Sequence, residues 1–164
     1  MQIDVGFGGA MAPEPAGIEY PTLLDSPPPI LNAYTREAVI VEKLEVLTAL
    51  GLLNSRLKDY FGLWLLSRLS VFEGHILVAA INATFGPRGT RVDASTAELT
   101  DSFAPDPANA IRWKASLRRS RLRDRPHELI EVVGHVRASA SPPLPAAAAR
   151  TEFHSACPAG GPWI

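Results

Sequence analysis

Prolines crowd the first fifth of the chain and exclude a helix there. Six prolines fall between residues 10 and 33, at positions 13, 15, 21, 27, 28 and 29. Because proline fixes φ and has no amide donor, this segment is predicted to be an extended connection. The stretch "PILNAY" (29–34) suits a short strand, so helices are expected only after residue 34.

An alternating pattern precedes the prolines. Ile3, Val5 and Phe7 point to one face of an extended chain, while Gln2 and Asp4 point to the other. This period of two predicts a half-buried strand. The strand has no lead-in, so the chain is expected to start in the middle of a sheet.

Helix signals dominate the centre of the chain. They cover approximately 36–50, 56–69, 73–85, 106–120 and 126–138. Thr35 and Asp106 are predicted N-caps, Gly51 a C-terminal stop, and Asn54 or Ser55 the cap of the second helix. One face of that second helix is predicted to be buried, through Leu57, Tyr60, Phe61, Trp64 and Leu65.

The last 26 residues, 139–164, lack helical or strand periodicity. Ala, Pro, Ser and Gly dominate them, so they are predicted to be disordered, since little apolar surface is available to offset the entropy of ordering. The chain is accordingly divided into a strand and Pro-rich connection (1–34), a helical portion (35–138) and a tail (139–164).

Composition favours a soluble cytoplasmic protein. Apolar residues make up 46% and the formal net charge is −1, which gives no global attraction to nucleic acid or acidic lipid. Cys157 is alone, so no internal disulfide can form and a reducing compartment is the simplest expectation. No secretory signal and no apolar run of about 20 residues is visible, so no membrane association is predicted.

Two acids and two lysines are the candidates for chemistry. Asp4 could hold a metal ion, or it could be a solvated strand acid. Lys43, in "EKLE", could point inward to neutralise a phosphate, or it could belong to an exposed charged strip. In "NSRLKDYFGLW", Asp59 could orient Lys43 or take a proton, and Arg56 and Lys58 could meet phosphate oxygens; an ordinary amphipathic helix carries such charges too.

A basic run follows further along the chain. Seven basic residues lie between Arg112 and Arg125, and Trp113 among them could stack on a base. Arg112, Arg118 and Arg119 are the candidate RNA contacts, and a solvated helix surface is the alternative. The four histidines have no metal-ligand spacing.

Three stretches occur in order: "QIDVGFGGAMAPEPAGIEYPTLLDSPPPILNAYTREAVIVEKLE", "NSRLKDYFGLWLLSR" and "RWKASLRRSRL". Together they resemble the carboxy-terminal half of the AbiEii/AbiGii-toxin-like nucleotidyltransferases, over residues 2–137. The resemblance implies an α+β fold, with a remnant of a polymerase-β-like core of one or two short strands followed by a mainly α-helical bundle. It also implies Mg²⁺-dependent transfer of a nucleoside monophosphate from an NTP to an acceptor such as tRNA.

The resemblance assigns roles to individual residues. Asp4 matches the third metal-binding acid, Lys43 the helix lysine near the triphosphate, and Lys58 and Asp59 the family's "KD" pair, with Asp59 the catalytic-site member. Gly62 stands where relatives usually carry a second acid. The family's glycine-containing segment and Asp-x-Asp strand would lie upstream of Met1.

The resulting hypothesis is a truncated nucleotidyltransferase-type toxin that has a cognate antitoxin as partner and negligible catalysis by itself. Asp4 alone would be a poor Mg²⁺ site, because this ion keeps its waters unless several carboxylates and phosphates cooperate. The alternatives are a noncatalytic helical module that binds RNA or an antitoxin, and a decayed gene product.

Overall fold

The structure is a computed structural model that describes residues 12–22, 25–51, 56–93, 99–100, 103–119, 126 and 128–164. These residues form an α+β fold, as predicted. The helices are α1 (Arg36–Leu50), α2 (Leu57–Leu69), α3 (Gly74–Arg88), α4 (Pro107–Arg119), α5 (Leu129–Ala140) and α6 (Pro143–Ala149). The strands are β1 (Ala16–Glu19), β2 (Ile30–Ala33), β3 (Phe72–Glu73) and β4 (Ala156–Cys157). The opening strand predicted at residues 2–7 lies outside the described residues.

The strands β1 and β2 form an antiparallel hairpin in the Pro-rich region. Ala16 pairs with Ala33 and Glu19 with Ile30. The strand predicted in "PILNAY" is therefore confirmed, whereas β1 occupies part of what was predicted to be an extended connection only. The hairpin is followed almost directly by α1, which begins three residues after β2 ends.

Local capping sets the ends of the helices. The Thr35 hydroxyl accepts a hydrogen bond from the Ala38 amide at the start of α1, and Gly51 ends that helix with a φ of 61°. The Asp106 carboxylate accepts from the Ala108 amide at the start of α4. These three predicted caps are confirmed, and the predicted caps of α2, Asn54 and Ser55, lie outside the described residues.

The core lies between α1, α2, α3 and α5. Val41 and Leu44 of α1, Tyr60 of α2, Ile81 of α3 and Val133 of α5 are all at most 1% exposed. In α2, Leu57, Tyr60 and Trp64 are buried as predicted, while Phe61 and Leu65 are partly buried against the same core. The helix predicted at 126–138 runs instead from Leu129 to Ala140.

The prediction of a disordered tail is wrong. The segment forms α6 and β4, with Leu144 fully buried, Ala147 2% exposed and Cys157 fully buried. The strand β4 pairs with β3, so that Phe72 stands opposite Cys157. Order here depends on contacts with helices far away in sequence, which the local composition of the segment does not reveal.

Hydrogen bonds and close packing hold the end of the chain against the helical core. The Trp163 indole N–H donates to the Ser139 carbonyl at 2.9 Å, and the Gly74 amide donates to the Ser155 carbonyl at 2.9 Å. A Cβ atom at Gly74 would lie 2.3 Å from the Phe153 ring, closer than such atoms approach in proteins. Glycine at the start of α3 therefore lets the last residues pack directly on the helix backbone.

Candidate functional site

The two acids that flank Lys43 in sequence both pair with an arginine from another helix. Residues three apart lie on the same face of a helix, so Glu42 and Glu45 of α1 both meet Arg88 at the end of α3. Each carboxylate has an oxygen 2.6 Å from a guanidinium nitrogen. These hydrogen bonds raise the pKa of Arg88, and the one with Glu42 has the larger effect. Thr90 also donates its hydroxyl hydrogen to Glu45. The helices α1 and α3 are thereby tied together, and Lys43 is left on a different face.

Lys43 reaches across to α2. Its Nζ lies 2.9 Å from Oδ1 of Asp59, and Nε of Arg56 lies 3.1 Å from Oδ2 of the same carboxylate. The Asp59 side chain is 6% exposed and the Lys43 side chain 27%. Asp59 is in the first turn of α2, where the helix dipole also stabilises a negative charge. An anionic side chain in the interior thus holds the lysine, while part of the lysine side chain stays accessible.

Gly62 makes room for the lysine. It lies one turn after Asp59, and a Cβ atom at position 62 would be 2.9 Å from Cε and 3.3 Å from Cδ of Lys43. The aliphatic part of Lys43 therefore lies against bare helix backbone. The position at which relatives were expected to carry a second acid thus faces Lys43 directly.

A small cleft adjoins this arrangement. It has a volume of about 240 Å³ and is lined by Tyr34, Val39, Glu42 and Lys43. The Tyr34 side chain is exposed, next to the Thr35 cap that begins α1. The cleft therefore combines one ammonium group, one aromatic ring, one aliphatic side chain and the Glu42 carboxylate, which is paired with Arg88. The ammonium group and the ring can contact the phosphate and the base of a nucleotide.

The remaining candidate residues differ in how exposed their side chains are. Lys58 is exposed on α2 beside Asp59, and Arg112 and Arg118 are exposed on α4. The prediction that Trp113 stacks on a base is wrong, because its ring is 1% exposed and packs near Phe61, with centroids 6.5 Å apart. The amphipathic pattern of α4 turns this ring into the core. The side chain of Arg119 lies outside the described part of the structure.

The predicted metal ligand cannot be placed in this arrangement. Asp4 lies outside the described residues, and the described part of the chain contains no cluster of three or more His, Cys, Asp or Glu side chains that could hold a metal ion. Asp59 is already neutralised by Lys43 and Arg56, which makes it a poor ligand for Mg²⁺. The described residues by themselves therefore do not fit this ion.

Some residues around the site were missed by the sequence analysis. Tyr34 and Val39, which line the cleft, were assigned no role, and Arg88 was not recognised as the partner of Glu42 and Glu45. Helical spacing from Lys43 could have indicated Val39, four residues earlier. No local signal joins Arg88 to Glu45, because 43 residues separate them.

The described residues thus combine a helical α+β fold with a small cleft lined by Lys43, a lysine held by the buried Asp59. Residues 1–140 match the family model described as "Nucleotidyl transferase AbiEii toxin, Type IV TA system". The chain belongs to this family, which confirms the predicted resemblance. Comparisons with curated proteins and with solved structures gave no match. Over the described residues, the helices are too short or too polar to cross a bilayer.

Proposed function

We propose that the chain binds a nucleoside triphosphate at the Lys43 cleft as part of a toxin that transfers a nucleoside monophosphate to an acceptor such as tRNA. One observation carries this proposal: Asp59 holds Lys43, and Lys43 lines a cleft. The chain in which they lie belongs to the AbiEii nucleotidyl transferase toxin family. A cognate antitoxin is the partner that a type IV toxin–antitoxin family implies.

In the proposed reaction an acceptor oxygen attacks the α-phosphorus, the bond from that phosphorus to the β-phosphate oxygen breaks, and pyrophosphate leaves with the electron pair. Lys43 acts as a compact positive charge against the triphosphate oxygens. Asp59 is a positioning residue, because it holds the Lys43 ammonium group without facing the cleft itself. Exposed Lys58 is a further candidate for phosphate contact.

Mg²⁺ and an NTP are the cofactor and the substrate that the family generally uses. The carboxylates for the ion would have to come from outside the described residues, where Asp4 lies. Nucleotide binding at the Lys43 cleft, in contrast, involves residues that the structure describes.

Replacing Lys43 with alanine should weaken ATP and GTP binding about ten- to hundredfold, the loss expected for one charge-assisted hydrogen bond to phosphate. Isothermal titration calorimetry on the full chain measures this. Arg36→Ala is the control, since it removes one exposed positive charge from the same helix outside the cleft. Equal affinities for Lys43→Ala and the control would contradict the proposal.

Replacing Gly62 with alanine should weaken NTP binding without unfolding the protein. The new Cβ displaces the Lys43 side chain, so we expect NTP affinity to fall several-fold. The gain in helix propensity offsets the weaker pair with Asp59, so the free energy of unfolding should change by no more than about 1 kcal/mol. Gly134→Ala is the matched control, because a Cβ at that helical position meets nothing within 4 Å. An unchanged affinity in Gly62→Ala would remove Lys43 from the binding site.

One observation favours a second candidate function. Arg112 and Arg118 are exposed on α4, which gives the chain a basic surface for RNA or an antitoxin even without Trp113. Retention on RNA at low salt that is lost with Arg118→Ala, but kept with Lys43→Ala, would support this surface. No retention by the unmodified chain would remove RNA as its ligand.

A further inference from the structure

A second and larger cleft lies between α3 and α6. Its volume is about 650 Å³, within the range of small-molecule sites. Val78, Val92 and Ala147 supply apolar lining, and Asn82 and Thr151 supply hydrogen-bonding groups. The α6 side of the cleft is formed by residues beyond the part of the chain that matches the family model, and none of the lining residues belongs to the Lys43 cleft.

Two arginines line this cleft, one after each helix. Arg91 follows α3 and Arg150 follows α6, and neither forms an ion pair with another described residue. Of the described residues that line the cleft, Glu152 is the one acid, and its carboxylate lies 2.9 Å from Nε2 of His154. The described lining residues thus include two guanidinium groups and one carboxylate, and together they carry a net positive charge.

The backbone at Arg150 is in a conformation that favours glycine. Its φ of 54° and ψ of 42° are left-handed, and it is the one non-glycine residue with positive φ in the described part of the chain. Glycine adopts this conformation without strain and is the usual residue after a helix. Replacing Arg150 with glycine therefore removes the guanidinium group without straining the backbone.

The carbonyl groups at the ends of the two helices do not oppose an anion as strongly as bare ends would. The Thr90 amide donates to the Phe85 carbonyl, and the Thr151 amide donates to the Ala146 carbonyl. These capping bonds satisfy one terminal carbonyl of each helix. Each guanidinium group carries a full positive charge, which exceeds the partial negative charge of about half a unit at a helix C-terminus.

We propose that the cleft between α3 and α6 binds a phosphate ester of mononucleotide size, with Arg91 and Arg150 on the phosphate and the apolar lining against the ring. Guanidinium groups match phosphate oxygens in geometry and stay charged at all relevant pH values. The volume accommodates more than an inorganic ion, and the valine and alanine side chains would be poor lining for phosphate alone. This site is separate from the NTP site proposed above and does not depend on it.

Titration of the full chain with AMP, adenosine and inorganic phosphate tests the proposal. AMP should bind at least about tenfold more tightly than either fragment, because only AMP engages both the arginines and the apolar lining. Arg150→Gly should weaken AMP binding about tenfold while leaving Tm unchanged or higher, since the left-handed backbone suits glycine. Arg91→Gln should weaken AMP binding similarly, and Arg36→Gln, which removes an exposed charge elsewhere, should not.

Three results would overturn the proposal: no AMP binding, inorganic phosphate binding as tightly as AMP, or AMP affinity unchanged in both Arg150→Gly and Arg91→Gln. The last result would mean that the two arginines serve only the helix ends. The test is independent of the Lys43 variants, so failure here leaves the NTP site unaffected and the converse also holds.

Discussion

Replacing Leu144 with alanine should lower the free energy of unfolding by about 3 kcal/mol, and Tm by roughly 10 °C. Leu144 is fully buried although it lies in a segment rich in Ala and Pro. Its removal leaves a cavity between α6 and the core, and the surrounding helices can close such a cavity only in part. Urea denaturation followed by circular dichroism measures the loss.

Leu69→Ala is the control for this experiment. Leu69 is 70% exposed, so the same substitution should change the free energy of unfolding by no more than about 0.5 kcal/mol. If Leu144→Ala were as stable as Leu69→Ala, α6 would not be part of the folded core.

Replacing Trp113 with alanine should cost about 3–5 kcal/mol, the usual loss for a large buried aromatic side chain. The ring is 1% exposed and lies between α4 and α2, where it contacts Phe61. Chemical denaturation gives the free energy of unfolding, and near-ultraviolet circular dichroism reports whether aromatic packing survives. The substitution therefore distinguishes a core residue from a base-stacking one.

Ile111→Ala on the same helix is the matched comparison, because Ile111 is 70% exposed and should tolerate truncation within about 0.5 kcal/mol. A Trp113→Ala protein that kept the stability of Ile111→Ala, but lost affinity for RNA, would contradict the buried placement. Such a result would indicate that Trp113 stacks on a base of the RNA.

Local sequence signals predicted most of the helical framework. Thr35, Gly51 and Asp106 act within a few residues of their own position, so capping rules were sufficient to place the ends of α1 and the start of α4. The segment around Leu144 carries no comparable signal. Its order comes from packing on α3, which only the folded chain brings next to it.

Only part of the candidate site was predicted, because it too depends on contacts between helices. Spacing left Lys43 with two open interpretations, and the family resemblance chose between them. The contact with Asp59 crosses from one helix to the next, and the open space at Gly62 depends on how closely α1 and α2 approach. Such distances between helices follow from packing in three dimensions, so the pattern along one helix does not fix them.

The central claim is that Lys43 meets the triphosphate of a bound nucleotide. An acyl-phosphate derivative of ATP, which transfers its acyl group to a lysine beside the phosphates, tests this directly on the full chain. The chain has three lysines, Lys43, Lys58 and Lys114, and peptide mass spectrometry shows which of them is acylated. We predict acylation of Lys43 that excess ATP suppresses, with Lys114 as an unprotected reference. Labelling of Lys43 no greater than that of Lys114, or labelling that ATP does not suppress, would contradict the claim.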